Sequence, residues 1–194
     1  MGLPNMVIRL AAALAATLAA AALHAAPVTY TFQAVGSGSL GAQGFADTPF
    51  TIVTTADTGD VIDGPNGHRV ANATAWITLA SGPAAQFTGD IFTVVNTPLS
   101  RVGVSDFVTN RAILFVDHPD AGAYDLRTDV GPLVGTAFVF NSGFEHGTTL
   151  GPLVINAVSS GSFTAAVVPE PASAALLLAG GAVLLAWRRR AAPA

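Results

Sequence analysis

The chain has 194 residues, 51% of them hydrophobic and 10% charged, with no cysteine, no lysine and a formal net charge of −4. Lacking cysteine, it has no disulfide, no thiol nucleophile and no cysteine-based zinc site. Between the two ends of the chain, residues 26–168 are acidic and lysine-free and lack the clustered cations that nucleic acid or anionic lipid would need, so neither is an expected partner of that body.

The N-terminal segment, Met1 to Arg9, is weakly basic through its α-amino group and Arg9. Leu10 to Leu23 is an uncharged Ala/Leu stretch, and Leu23-His24-Ala25-Ala26-Pro27 offers small residues to a signal peptidase. A short apolar stretch ending in small residues predicts a secretory signal peptide over residues 1–25, handled by the export machinery, with a buried Ala-rich helix as the alternative. Cleavage is expected between Ala25 and Ala26, because a cut after Ala26 would put Pro27 directly behind the scissile bond.

Residues 26–168 are then about the size of one domain, long enough to bury a core without covalent staples. This body carries four arginines against ten aspartates and Glu145, a net charge of −7 that favours solubility. Helical periodicity is missing. Instead, short runs rich in Val, Ile, Thr and Phe alternate with Gly, Pro, Asn and Asp. Val28–Val35 alternates as a half-buried strand should. Further strands are predicted at Phe50–Thr55, Thr74–Leu79, Asp90–Val95, Arg101–Val108, Ala112–Val116, Ala123–Thr128, Thr136–Phe140, Leu153–Val158 and Ser162–Val168.

Breakers separate these runs: Gly36-Ser37-Gly38-Ser39, Gly64-Pro65-Asn66-Gly67, Ser81-Gly82-Pro83, Gly131-Pro132 and Asn141-Ser142-Gly143. Ser159-Ser160-Gly161 reads as the turn of a final hairpin. Many short strands with regular turns predict an all-β fold, an antiparallel β-sandwich of the jelly-roll or Ig-like kind.

No catalytic residue stands out in the body. His68, His118 and His146 sit in loop-like contexts without the i, i+4 spacing of a zinc site, and Ser100, Ser105 and Ser142 lie in no nucleophile elbow. Glu145 and His146 are adjacent, but adjacency does not make an acid–base pocket. Paired carboxylates of the glycosidase type have no spacing to select them. The protein is therefore expected not to be an enzyme. Asp57, Asp60 and Asp63 concentrate hard oxygens in one segment, the candidate calcium site in an extracellular setting. Aspartates also populate turns for backbone reasons alone, and no other cofactor is expected. Trp76, within Ala73–Leu79, is expected in the core, with a plate for stacking sugars as the alternative.

The chain closes with Val168-Pro169-Glu170-Pro171, an uncharged run over residues 172–187, and Arg188-Arg189-Arg190. As a helix the run spans about 24 Å, somewhat short of a hydrocarbon core of about 30 Å. The arginines would stay cytoplasmic with Trp187 at the interface, leaving the body on the far side of the membrane.

Those three parts, in that order, resemble a PEP-CTERM sorting signal. The Thr/Gly-rich body, through Gly36-Ser37-Gly38-Ser39-Leu40, Phe50-Thr51-Ile52-Val53 and Thr54-Thr55-Ala56-Asp57-Thr58, is similar to the β domains that precede such tails. The resemblance implies recognition of Pro169, Glu170 and Pro171 by an exosortase, a cysteine-dependent enzyme of the inner membrane of Gram-negative bacteria. It further implies cleavage near that motif and delivery to the cell surface or matrix, alongside extracellular polysaccharide. The alternatives are a plain inner-membrane anchor and a carbohydrate- or calcium-binding module facing the periplasm.

Overall fold

The computed structural model describes residues 26–80, 82–106, 111–140, 142–168 and 180–181. Pro27–Val167 is one compact unit, and residues 1–26 with 168–194 group separately. The predicted signal peptide with Ala25, the motif Pro169-Glu170-Pro171, Trp187 and Arg188–Arg190 lie outside the described residues. Most of the predicted membrane run does too, although Gly180 and Gly181 are helical. Among the described residues, no helix is long and apolar enough to cross a membrane.

The compact unit is built from strands β1 (Pro27–Leu40), β2 (Gln43–Asp57), β3 (Ile62–Gly64), β4 (Gly67–Ala71), β5 (Thr74–Leu79) and β6 (Ala84–Gln86). There follow β7 (Ile91–Asn96), β8 (Arg101–Asp106), β9 (Arg111–Asp117), β10 (Val130–Phe138), β11 (Glu145–His146) and β12 (Leu153–Val167). Short 3-10 turns occupy Thr58–Asp60 and Pro119–Ala123. The strands pair antiparallel in the order β3-β4-β7-β8-β9-β10-β12-β1-β2-β5-β6, with β11 added to β12.

The all-β, antiparallel expectation is met, but the two layers are wings of one curled sheet rather than separate sheets. Strand β10 passes from one wing to the other: Val130–Gly135 pair with β12, and Thr136–Phe138 pair with β9. Gly135 sits at that crossing, where a Cβ would lie 1.9 Å from the Asp117 carbonyl oxygen, so only glycine allows the approach. The wings face each other across a shared core. Thr54 on β2 and Thr93 on β7, strands that are not neighbours in the sheet, bring their buried Oγ1 atoms within 3.1 Å.

The core follows from the alternation seen in sequence. Val28, Tyr30, Phe32 and Ala34 point inward from β1, and Phe163 and Ala165 do so from β12. The Phe32 and Phe163 rings lie 4.8 Å apart. Tyr30 is fully buried, yet its hydroxyl donates to the Leu126 carbonyl at 2.7 Å, which removes the penalty of an unpaired buried phenol.

Three local expectations are corrected. Gly36-Ser37-Gly38-Ser39 does not break β1. At Gly38 a Cβ would lie 2.0 Å from the Val154 carbonyl oxygen, so the glycine permits close strand approach instead of a loop. Ser159-Ser160-Gly161 is likewise inside β12, where pairing steps from Ala34↔Gly161 to Gly36↔Val158 as a bulge. Ala123–Thr128 is not a strand. There the Asp125 carboxylate accepts the Arg127 N–H at 2.9 Å, and Leu126 takes a positive φ of 64°, both incompatible with a ladder.

Candidate processing pole and outer faces

Both ends of the compact unit meet at one pole. Val28 pairs with Val167, and Pro27 pairs with Asp57, so the start of β1 and the ends of β2 and β12 lie together. Asp129 Oδ1 accepts the N–H of Val167 at 2.6 Å, pinning the last residue of β12. A concavity of about 470 Å³ opens beside it, lined by Pro27, Thr55, Asp57, Asp60 and Asn72 among others.

The three aspartates proposed for calcium have separate partners or surroundings. Asp57 caps the first 3-10 turn, accepting the Gly59 N–H at 2.7 Å. Asp60 lines the concavity. Asp63 turns to the loop after the second 3-10 turn, where it takes both Arg127 Nη atoms at 3.0 and 3.1 Å. It also meets His68 Nδ1 at 2.7 Å. The Arg127 guanidinium, and secondarily His68, holds the Asp63 carboxyl below the usual carboxylate value. Among the described residues, no group of three or more His, Asp or Glu side chains is placed to hold a metal ion.

The histidines are dispersed as well. His118 caps the second 3-10 turn, its Nδ1 accepting the Asp120 N–H at 3.2 Å. His146 is buried with Nδ1 3.6 Å from an Asp106 carboxylate oxygen. Burial holds its imidazole below the ordinary value, against the opposing pull of Asp106. Glu145 is exposed while His146 is buried, because successive strand residues face opposite ways, and the two form no dyad.

The two wings present contrasting outer faces. On β8, β9 and β10, Phe115 lies over Gly103, where a Cβ would meet its ring at 2.5 Å. The Arg101 guanidinium covers the Phe138 ring at 4.4 Å and pairs with Asp117 at 3.1 Å. On β12, β1, β2, β5 and β6 threonine is the commonest of the outward residues that register together, and Trp76 stands among them, 39% exposed. Sequence reasoning favoured the core for Trp76; the register places it outside instead.

Neither the Asp129 cap nor the Asp63–Arg127 pair was visible beforehand, since each joins residues distant in sequence. A legible signal did exist for the hydroxyl face, in the alternating threonines Thr29/Thr31 and Thr74/Thr78, but not for which strands would bring them together.

Comparison with known families adds the class of the chain's end. The family model described as the PEP-CTERM protein-sorting motif matches residues 167–190, and the chain carries that motif. The match begins at Val167, the final residue of β12. No curated protein and no solved structure matches the chain.

Proposed function

We propose that this is an exported, non-enzymatic surface or matrix protein, sorted through its C-terminal signal and cleaved near Pro169-Glu170-Pro171 by an exosortase, in association with exopolysaccharide. One observation carries the reading: the sorting motif starts at the residue where the sheet stops. Proline has no N–H for a ladder, so Pro169 and Pro171 keep the segment from joining β12. The Asp129–Val167 hydrogen bond ties down the strand's last residue, so a cut beyond Val168 removes nothing from the sandwich-type body. The first strand of the body starts, and its last strand ends, at one pole, where Val28 pairs with Val167.

Intact mass of the protein recovered from its host, fractionated into membrane and surface material, tests this. Loss of residues 1–25 and of everything beyond the Pro-Glu-Pro region supports it. A stable inner-membrane species that retains Arg188–Arg190 overturns it.

A second reading is a carbohydrate- or calcium-binding module anchored in the inner membrane and facing the periplasm. Exposed Trp76 favours the carbohydrate part, and Asp57 and Asp60 at one concavity favour the calcium part. Thermal melting with and without calcium separates the latter, since an ion that binds only the native state raises its melting temperature.

A further inference from the structure

We propose that the outer face of the β12-β1-β2-β5-β6 wing binds an uncharged polysaccharide chain, with Trp76 as its stacking plate. This deepens the reading of a surface or matrix protein and rests on it only for where the glycan is met.

The strand registers assemble the face. One row across it is Thr164, Thr31, Val53, Trp76 and Gln86; the next is Ser162, Gln33, Thr51, Thr78 and Ala84. A third row is Ala166, Thr29, Thr55 and Thr74. With strands about 4.8 Å apart and same-face residues about 6.8 Å apart, the rows cover about 19 by 14 Å. Trp76 is thus flanked by Thr74 and Thr78 on its own strand, by Val53 and Gln86 across, and by Thr51 and Thr55 on the diagonals.

The chemistry of this face selects its partner. None of the residues in these three rows is charged, and Asp57 lies one step beyond Thr55 along β2. Hydroxyls and amides both donate and accept, and the indole is an apolar plate with one N–H. A sugar ring presents the complement, a C–H face rimmed by hydroxyls. Among the described residues, Thr55 and Thr74 share a hydrogen bond at 2.7 Å and the Ser162 hydroxyl donates to Gln33 Oε1 at 3.5 Å, which leaves the hydroxyls of Thr29, Thr31, Thr51, Thr78 and Thr164 available. At the Thr55 margin the face runs into the concavity bearing Asp57 and Asp60, whose carboxylates suit further sugar hydroxyls.

Other occupants fit less well. A second protein sheet needs apolar area, and Val53, Trp76, Ala84 and Ala166 supply little of it. Acidic glycans and nucleic acids meet no cation on the face, and a body of net charge −7.

Trp76 is the only tryptophan in residues 26–168, and the other one in the chain is Trp187. The full chain carrying Trp187→Phe, kept in detergent, therefore reports on Trp76 through its fluorescence alone. Titration with cellohexaose, laminarihexaose and dextran should give a saturable emission change with at least one of them, and none with polygalacturonate. Affinity electrophoresis in the responding glycan should then show Trp76→Ala binding at least about tenfold more weakly, with Trp76→Phe intermediate and Arg69→Ala unchanged. Circular dichroism checks that each variant is folded. The proposal is overturned if none of the three neutral glycans changes the emission, if polygalacturonate binds better, or if Trp76→Ala binds like the parent. A host protein trimmed at both ends that binds no glycan would overturn the platform alone. Glycan binding by a protein that keeps its tail would overturn the sorting reading alone.

Discussion

On the β8-β9-β10 wing the outward side chains close over one another: Phe115 fills the space above Gly103, and Arg101 lies across Phe138 while bonding Asp117. On the β1-β2-β5 wing the outward side chains are chiefly short hydroxyls around a single indole, and only Thr55 and Thr74 of them bond each other among the described residues. The first arrangement spends its side chains on stability, as a small second core outside the sheet. The second leaves its side chains unspent. A face that contributes little to its own stability is free to be chosen for what it touches.

Substitutions on the two faces should therefore differ, and the largest effect is expected at Phe115. Phe115→Ala removes a nearly buried ring and should cost about 3 kcal/mol in urea unfolding. A loss under about 1 kcal/mol would show the aromatic cover to be ornamental. Gly103→Ala comes next, at about 2 kcal/mol, because its Cβ would meet the Leu114 carbonyl oxygen at 2.4 Å and the Phe115 ring at 2.5 Å. Arg101→Ala should cost about 1 kcal/mol, combining cation–π contacts with Phe138 and Phe140 and a part-exposed ion pair with Asp117.

The pH response sharpens the contrast further, because the three rows around Trp76 contain no ionisable residue. His146, beyond the ends of β8 and β9, is held below its ordinary value of 6.5 chiefly by burial. The unfolded chain therefore takes up a proton first as pH falls. Its contribution to stability is complete above 6.5 and is lost below that, and His146→Gln should flatten this part of the profile. Asp63 acts lower on the scale: its carboxyl is held below 3.8, so its contribution is present above that value and lost as pH falls through the folded value. The smallest effect is expected on the hydroxyl face, where Gln33→Ala should change stability by no more than about 0.5 kcal/mol.

Much was legible in the residues alone. Alternation in Val28–Val35 marked which side chains of β1 enter the core, and the Pro-Glu-Pro, apolar and arginine segments identified the sorting motif. These are local patterns, set by the period of a strand or by order along the chain. The glycine and serine runs misled for the same reason. A breaker within a short window can be a bend in a long strand once the neighbouring strand is known, as at Gly38 beside Val154.

What only the tertiary structure decided is which distant residues share a surface. Trp76 joins Thr31 and Thr164 in one row through three successive pairings, Asp129 reaches the end of β12, and Arg127 finds Asp63. Strand register is set by the packing of whole wings around Tyr30, Phe32 and Phe163, and no local window contains it. The sequence determined where this protein is addressed and that it is built of strands; register, which is non-local, decided which face it offers there.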